Sequence, residues 1–383
     1  MTLGAPTSAP VKSPQRPLPQ LRATRLDDYP QIQRLESSHE LLTLPAGDWA
    51  RMWLDNPLRS RLGKDWPFGW VLEDSAGHIV GSLANITSLY RFAGREVVAV
   101  TGRGWVVSAE YRGAALLLMD EYFNQGRADL FINTTVNSMA VDPFSAFGSA
   151  RVPLGDWETA AYWVTGYTGF ARTALRIKHV PLPSLLALPA AAVLKVKDVV
   201  TAQQFGDANT SAAVEQAANF DARFDAFWHE LAEQNNNRLL GVRDRQTLAW
   251  HFAGPLRAGQ AWIFTASRDQ KMRAYAVFKR QDHPPSGLVR MRLVDYQSID
   301  ARVDLLPSLI NAALRKCVAE EIHTLEHVGC GLPKMQAFDR VAPYRRTLPA
   351  WPFYYHAADP TLNEALRNPK VWDPSTFDGD ASL

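Results

Sequence analysis

Residues Trp105 to Asp120 read WVVSAEYRGAALLLMD. Three apolar residues run into a polar turn, an Arg-Gly pair follows, and an apolar helical run begins behind it. That order is a strand feeding a helix. A helix opening from a loop exposes backbone N–H groups, and with the helix dipole these make an anion site. Arg112 adds a charge that pairs with phosphate oxygens, and Gly113 lets the backbone approach a ligand closely. The alternative is an ordinary helix start with Arg112 on the surface. The stretch predicts a strand ending at Val107, a helix over Ala114–Gln125 and Gly126 as its stop.

Outward from this junction the pattern continues. Leu21–Ala23 reads as an opening strand, and the residues to Asn56 as mainly helical. Trp70–Glu73 and His78–Ile86 read as strands across Asp74-Ser75-Ala76-Gly77, with a second hairpin of Ser88–Ala93 and Glu96–Val107 around Ala93-Gly94-Arg95. Downstream come a strand at Leu130–Thr134 and a short helix at Val141–Phe147, which tolerates Pro143 near its start. Trp157–Ile177 reads as helical or mixed. The second half repeats the order: a hairpin of Trp262–Ser267 and Arg273–Lys279 across Arg268-Asp269-Gln270-Lys271, a long strand Leu288–Tyr296, a helix Leu305–Glu320 and a strand Thr324–Val328. A short helix Leu332–Val341 and a closing strand Trp351–His356 complete it. The repeat is one of pattern, without residue identity. An α/β chain follows, with two mixed sheets flanked by helices on both faces.

Composition bounds the function. The 383 residues suit one large domain or two of ordinary size, and 46% hydrophobic residues allow a sizeable core. A net charge of +2 argues against a dedicated nucleic-acid binder. Cys317 and Cys330 are the only cysteines, so there is no disulfide framework and a reducing compartment is the default. Residues 1–20 are rich in Pro and small polar residues and read as a disordered tail without the apolar run of a signal peptide. The most apolar stretch, Pro181–Val196, is too short to span a membrane and is interrupted by Pro189. It reads as a linker or buried helix, with a surface-lying lipid contact as the alternative. The acidic end, Asp378–Leu383, reads as exposed.

Val107-Ser108-Ala109-Glu110-Tyr111-Arg112-Gly113 resembles the Val-x-Pro-x-x-Arg-Gly pattern of the GNAT acyltransferase superfamily, with Ala109 in place of Pro. The segment Phe144–Pro153 resembles that family's later motif, a short helix ending in Gly before a strand. Two such folds in one chain are similar to the tandem arrangement of N-myristoyltransferases and Fem-type peptidyltransferases. The resemblance implies two tandem acyl-CoA N-acyltransferase-like domains, 21–180 and 220–383, joined by a linker over 181–219. It implies an acetyl-CoA or longer acyl-CoA donor and no metal. Arg112, Gly113, Ala114, Ala115 and Leu116 would hold the pyrophosphate. Trp105, Val106 and Val107 would flank the pantetheine arm, and a backbone N–H near Val107 would polarise the thioester. A small-molecule or peptide amine acceptor would lie between the halves, in the cytoplasm, where coenzyme A is available. Neither a nucleic-acid partner nor a transmembrane segment is expected. The second half carries Asp295-Tyr296-Gln297-Ser298 in place of an Arg-Gly turn, so it would shape the acceptor pocket.

The chain also departs from the family. The usual turn, Arg-Gly-x-Gly-x-Gly or Ala, here runs Arg112-Gly113-Ala114-Ala115-Leu116-Leu117. Leu117 would crowd a phosphate unless its side chain points into the core. Many members carry a tyrosine that protonates the thiolate where this chain has Ser145 and Phe147. Ser145 is the candidate acid, with Tyr111, Tyr122 and Tyr162 as alternatives. Glu96 and Glu110 are candidate bases for the amine, and Asp142 is a third; each is otherwise a surface acid. Two alternatives remain: a non-catalytic binding protein on a decayed scaffold, or a Fem-type transferase using aminoacyl-tRNA. His323, His327 and Cys330 have metal-like spacing, but on a strand the two histidines stand about 13 Å apart, too far for one ion. His251, His283 and His356 read as isolated, structural or exposed. The aromatic clusters at Trp351–Tyr355 and Trp157–Tyr167 read as the seam between the halves, with a ligand groove as the alternative.

Overall fold

The turns expected at Ala93-Gly94 and Asp269-Gln270 each place both central residues at positive φ, 51° and 75° in the first and 49° and 61° in the second. That geometry matches the twist of the flanking strands in a two-residue hairpin. The computed structural model describes residues 17–63, 65–155, 157–201, 212–299, 304–329, 334, 342–348 and 352–383. Residues 1–16 of the expected tail, Cys330, Trp351 and all of the expected helix Leu332–Val341 except Lys334 lie outside the described residues.

The strands are β1 (Gln20–Ala23), β2 (Gly69–Glu73), β3 (Ile79–Phe92), β4 (Arg95–Val107), β5 (Leu130–Asn133), β6 (Ala150–Arg151), β7 (Thr159–Val164) and β8 (Ala213–Ala217). After them come β9 (Leu240–Gly241), β10 (Ala261–Arg268), β11 (Lys271–Arg280), β12 (Arg290–Ser298), β13 (Thr324–Val328), β14 (Tyr344–Thr347) and β15 (Tyr354–Ala357). The helices that matter are α1 (Tyr29–Ser38), α2 (Ala46–Leu54), α3 (Arg59–Leu62), α4 (Ala115–Phe123), α5 (Val141–Ala146), α6 (Tyr167–Ile177), α7 (Pro183–Thr201), α8 (Ala222–Gln234), α9 (Arg245–Arg257) and α10 (Leu306–Ala319). One expectation changes and another is resolved. His78–Ile86 and Ser88–Ala93 are one long strand, β3, because Ser88 and its neighbours keep pairing with β4 without a break. Trp157–Ile177 splits into β7 and α6 at Thr165 and Gly166, whose N–H groups both turn to the His323 carbonyl.

Two mixed sheets result. Among the described residues the first has eight strands in the order β1-β2-β3-β4-β5-β15-β6, with β9 beside β3, and the second has seven, β14-β7-β13-β12-β11-β10-β8. Each contains a parallel pair, β4 with β5 and β12 with β13. The strands beyond those pairs are exchanged. β7 follows the first sheet in the chain yet lies antiparallel to β13 in the second. β15 follows the second sheet yet lies antiparallel to β5 in the first. Sheet membership therefore does not follow a division of the chain at residues 180 and 220. Trp157 against Phe353, 4.9 Å between ring centres, packs where the two exchanged segments pass.

Helices cover the sheets by their apolar spacing. On α10, Leu306, Leu309, Ile310, Ala313 and Cys317 recur at three and four residues and bury against one face of the second sheet. On α8, Phe224, Phe227, Trp228 and Leu231 do the same on its other face. Leu118, Met119 and Tyr122 of α4 close one side of the first sheet, and α1 and α2 close the other with Ile32, Leu35, Trp49 and Trp53.

Candidate functional site

β4 and β5 pair at only two positions, Ala99 with Leu130 and Val100 with Phe131. Beyond them the ladder stops and side chains fill the fork. The Gly102 N–H donates to Asn133 Oδ1 at 3.1 Å, and the Tyr122 hydroxyl donates to the Val100 carbonyl at 3.1 Å. These bonds satisfy backbone groups that a longer ladder would have paired. On its other edge β4 bulges, since Ser82 faces Val106 while Ala84 faces Arg103. Gly104 sits in the bulge at φ 66°, where glycine is at ease. The Ser108 N–H returns to the Val80 carbonyl at 2.8 Å. By strand alternation the Val107 N–H points to the opposite edge, into the fork.

The fork opens on a cleft of about 830 Å³ walled by both sheets. Gly102 to Trp105, Asn133 and Val136 line one side; Lys279, Arg280, Arg290 and Arg292 line the other. Trp250 and His251 of α9 and the chain end, Asp380–Leu383, close the space between them.

Glu36 stands at the fork. It is 4% exposed and falls in phase with Ile32 and Leu35 on the buried face of α1. Its carboxylate lies 3.7 Å from the Arg103 guanidinium. Burial raises its pKa above the ordinary range, with Arg103 pulling the other way. A carboxyl so placed is a proton acceptor that works closer to neutrality than a surface acid. Glu36 is not among the candidates named from sequence; its signal there is an acid in phase with two apolar residues of one helix face.

Across the cleft, Lys279 Nζ donates to the Ser382 carbonyl at 2.7 Å. Burial, helped by Arg103, lowers its pKa to about 8. His251 shares a 2.8 Å hydrogen bond with the Ser382 hydroxyl, and burial lowers its pKa to about 3. It is a neutral cleft residue, not an isolated one. Deeper in the same wall, Glu326 takes ion pairs from Arg290 at 3.4 Å, Arg292 at 3.4 Å and Arg346 at 2.9 Å. Burial, with Arg290 adding to it, lowers Arg292 to about 10.

The structure separates the residues that the sequence had grouped. Trp105 reaches the cleft, and its indole N–H donates to the Ala115 carbonyl at 3.3 Å. Val106 is buried beneath α1 and α2, while Val107 packs on the opposite layer beside α4. Arg112 and Gly113 are exposed, Ala114 is buried, Ala115 half-buried and Leu116 exposed. The chain takes a tight helical turn over Ala109–Ala114, and the Ala115 N–H donates to the Arg112 carbonyl. Helical structure thus begins a turn before Gly113. Leu117 is exposed and does not enter the core.

Glu96 lies at the far end of β4, ion-paired with Arg61 at 2.5 Å. Glu110 is exposed on the turn and Asp142 on α5. The Ser145 hydroxyl donates back to the Val141 carbonyl at 2.9 Å, and Phe147 stacks on Phe123. The cleft lining includes none of Glu96, Glu110, Asp142 and Ser145. Tyr162 belongs to the second sheet, stacked on Tyr344. The chain end is also not exposed as expected. Asp378 is 3% exposed, accepts from the Arg243 guanidinium and the Tyr90 hydroxyl at 2.9 Å each, and is anchored by them between the sheets. Asp380 accepts from the hydroxyls of Thr134 and Thr135.

No protein-family profile and no curated protein matches the sequence. Solved structures match the fold. A GCN5-related N-acetyltransferase from Kribbella flavida superposes with a TM-score of 0.54 at 12% identity, over 90% of this chain and 72% of the other. A second, from Anabaena variabilis, gives 0.52 at 11%, over 89% and 73%. The N-myristoyltransferase of Saccharomyces cerevisiae, solved with bound myristoyl-CoA, gives 0.53 at 10%, over 92% and 83%. The chain has the fold of these proteins, in a two-sheet arrangement like that of the N-myristoyltransferase.

Proposed function

We propose that this chain, folded as the GCN5-related acetyltransferases and N-myristoyltransferases are, is an acyl-CoA-dependent N-acyltransferase. The observation that carries the reading is the β4/β5 fork, which opens directly on a cleft walled by both sheets. A fork is where an extended thiol arm can take a strand's place, along the edge of β4 that β5 leaves beyond Val100. The donor would supply an acyl thioester, with its phosphates against the exposed Arg112-Gly113 turn.

The chain's own residues supply the rest. The Val107 N–H faces the fork and can hold an oxyanion that develops there. Glu36 accepts the proton that an acceptor ammonium must lose before it attacks. Lys279, held near neutrality at about 8, is the proton-exchanging group of the opposite wall. Phe147 occupies the place of the family's tyrosine, so no phenol acts from that helix. On that wall Lys279, Arg280, Arg290 and Arg292 outnumber Asp282, which pairs with Arg280, and Glu326 behind them, which leaves a positive surplus on the acceptor side. That surplus favours an amine acceptor that also carries a negative charge.

One observation favours the non-catalytic alternative: Leu116 and Leu117 are exposed beside the phosphate turn. Calorimetry with acetyl-CoA and longer acyl-CoA thioesters decides, with Arg112→Glu as the control. Binding lost in Arg112→Glu, followed by free thiol release with an anionic amine, supports the enzyme. Binding without thiol release across an amine screen supports the binding protein. Silence of the folded wild type towards every thioester removes the donor site.

A further inference from the structure

The sequence leaves open what its most apolar stretch, Pro181–Val196, does. It is not a buried helix: it forms most of α7, packed as a hairpin on α6. Ala187 and Ala191 turn towards the protein, while Leu182, Leu185, Leu186, Leu188, Val193, Val196 and Val199 are exposed. Leu185 and Leu188 keep 71% and 68% of their surface in solvent. Ile177, at the end of α6, joins them at the hairpin tip. Single exposed apolar residues need no explanation, but a contiguous set on one element marks a contact surface.

Charge says what the surface meets. From Thr159 to Lys197 the chain has no Asp or Glu, yet it carries Arg172, Arg176, Lys178, Lys195 and Lys197. Arg172, Arg176, Lys178 and Lys195 are all exposed. The one acid of α7, Asp198, is engaged by the Tyr167 and Tyr344 hydroxyls. Apolar side chains flanked by cations are the chemistry of a helix lying in an anionic lipid interface. A second copy of this chain fits worse. A two-fold contact would set the same cations against each other. Nor does α7 cross a bilayer: no described helix is long and apolar enough to do so.

We propose that the α6–α7 hairpin docks the protein on an anionic phospholipid surface, with Leu182, Leu185 and Leu188 entering the headgroup–acyl boundary and Arg176 and Lys178 meeting phosphate. This docking does not depend on the acyltransfer reading, since the hairpin contributes no residue to the cleft.

Co-sedimentation of the full chain with vesicles tests it, using phosphatidylcholine with and without phosphatidylglycerol. Binding is expected only with phosphatidylglycerol and falls as salt rises. Arg176→Glu with Lys178→Glu is expected to weaken it about tenfold or more. Leu185→Asp with Leu188→Asp is expected to abolish it. All four side chains are exposed, so both variants should keep the wild-type melting temperature, which is measured alongside. No sedimentation of the wild type overturns the proposal. So does equal binding to neutral vesicles. A wild-type dimer by light scattering that the leucine variant disperses overturns it too, in favour of a second copy.

Discussion

The Glu36 carboxylate oxygen lies 2.5 Å from the point where a side-chain carbon on Gly104 would stand. The bulge of β4 and the buried acid of α1 are therefore fitted to each other. Gly104→Ala meets two obstacles, the φ of 66° and the carboxylate. The first alone costs about 1–2 kcal/mol. In urea unfolding, Gly104→Ala should lose more than that. Combined with Glu36→Ala it should lose less than the two single changes added together. Strictly additive losses would mean that the two residues do not share the space.

Glu36 is also the proton acceptor of the proposed reaction. Glu36→Gln keeps the shape and removes the charge, so turnover should fall by roughly 10²–10⁴ with donor affinity unchanged. The pH profile is the sharper readout. Burial raises the Glu36 pKa, so the acidic limb of kcat/KM should lie above the ordinary carboxylate range. The Gln variant should lack that limb. A limb that persists in Glu36→Gln assigns the base elsewhere.

Local pattern carried most of the elements and little of the site. Thr324–Val328 is a strand as expected, and the two hairpin turns fall where expected, at Ala93-Gly94 and Asp269-Gln270. The exchange of β7 and β15 was not legible, because either strand could pair with either parallel pair and nothing local chooses. Asp378 read as a surface acid because its cation, Arg243, lies 135 residues earlier. The candidate acids Glu96 and Glu110 lie on β4 and its turn and Asp142 on α5, and β4 is long enough to carry Glu96 away from the fork. The acid that reaches the fork comes from α1.

Arg292 tests the acceptor side. Its guanidinium bonds to Gln281 at 2.8 Å and pairs with Glu326. Arg292→Gln removes one of the charges that make the wall positive. The ratio of kcat/KM for an amine bearing a carboxylate to that for its neutral amide should drop about tenfold, with the neutral substrate little affected. An unchanged ratio would remove the wall from acceptor selection.

Asp378 tests the anchoring of the chain end. Arg243 is 1% exposed and divides its charge between Asp295 and Asp378. Asp378→Ala leaves that guanidinium buried with one carboxylate fewer and strips the Tyr90 hydroxyl of its acceptor. A loss of about 3–5 kcal/mol in chemical unfolding is expected, the cost of breaking a buried pair. A loss under about 1 kcal/mol would place Asp378 with exposed ion pairs.

His251 gives the pH dependence of stability its sign. Its pKa is about 6.5 in an unfolded chain and about 3 in the fold, where burial disfavours the imidazolium. Between those values the unfolded chain binds a proton that the folded chain does not. Stability is therefore full above about pH 6.5 and falls as pH drops towards about 3. Each such histidine contributes up to about 1.4 kcal/mol per pH unit in that window. His327, lowered to about 3 by its own burial, adds a slope of the same sign. His251→Gln can still hydrogen-bond to Ser382 but cannot titrate, so it should remove one proton from the slope and leave that of His327. Urea midpoints at about pH 5 and about pH 7 measure this for both proteins. Equal pH slopes in the two would mean that the folded chain protonates His251 as readily as the unfolded one.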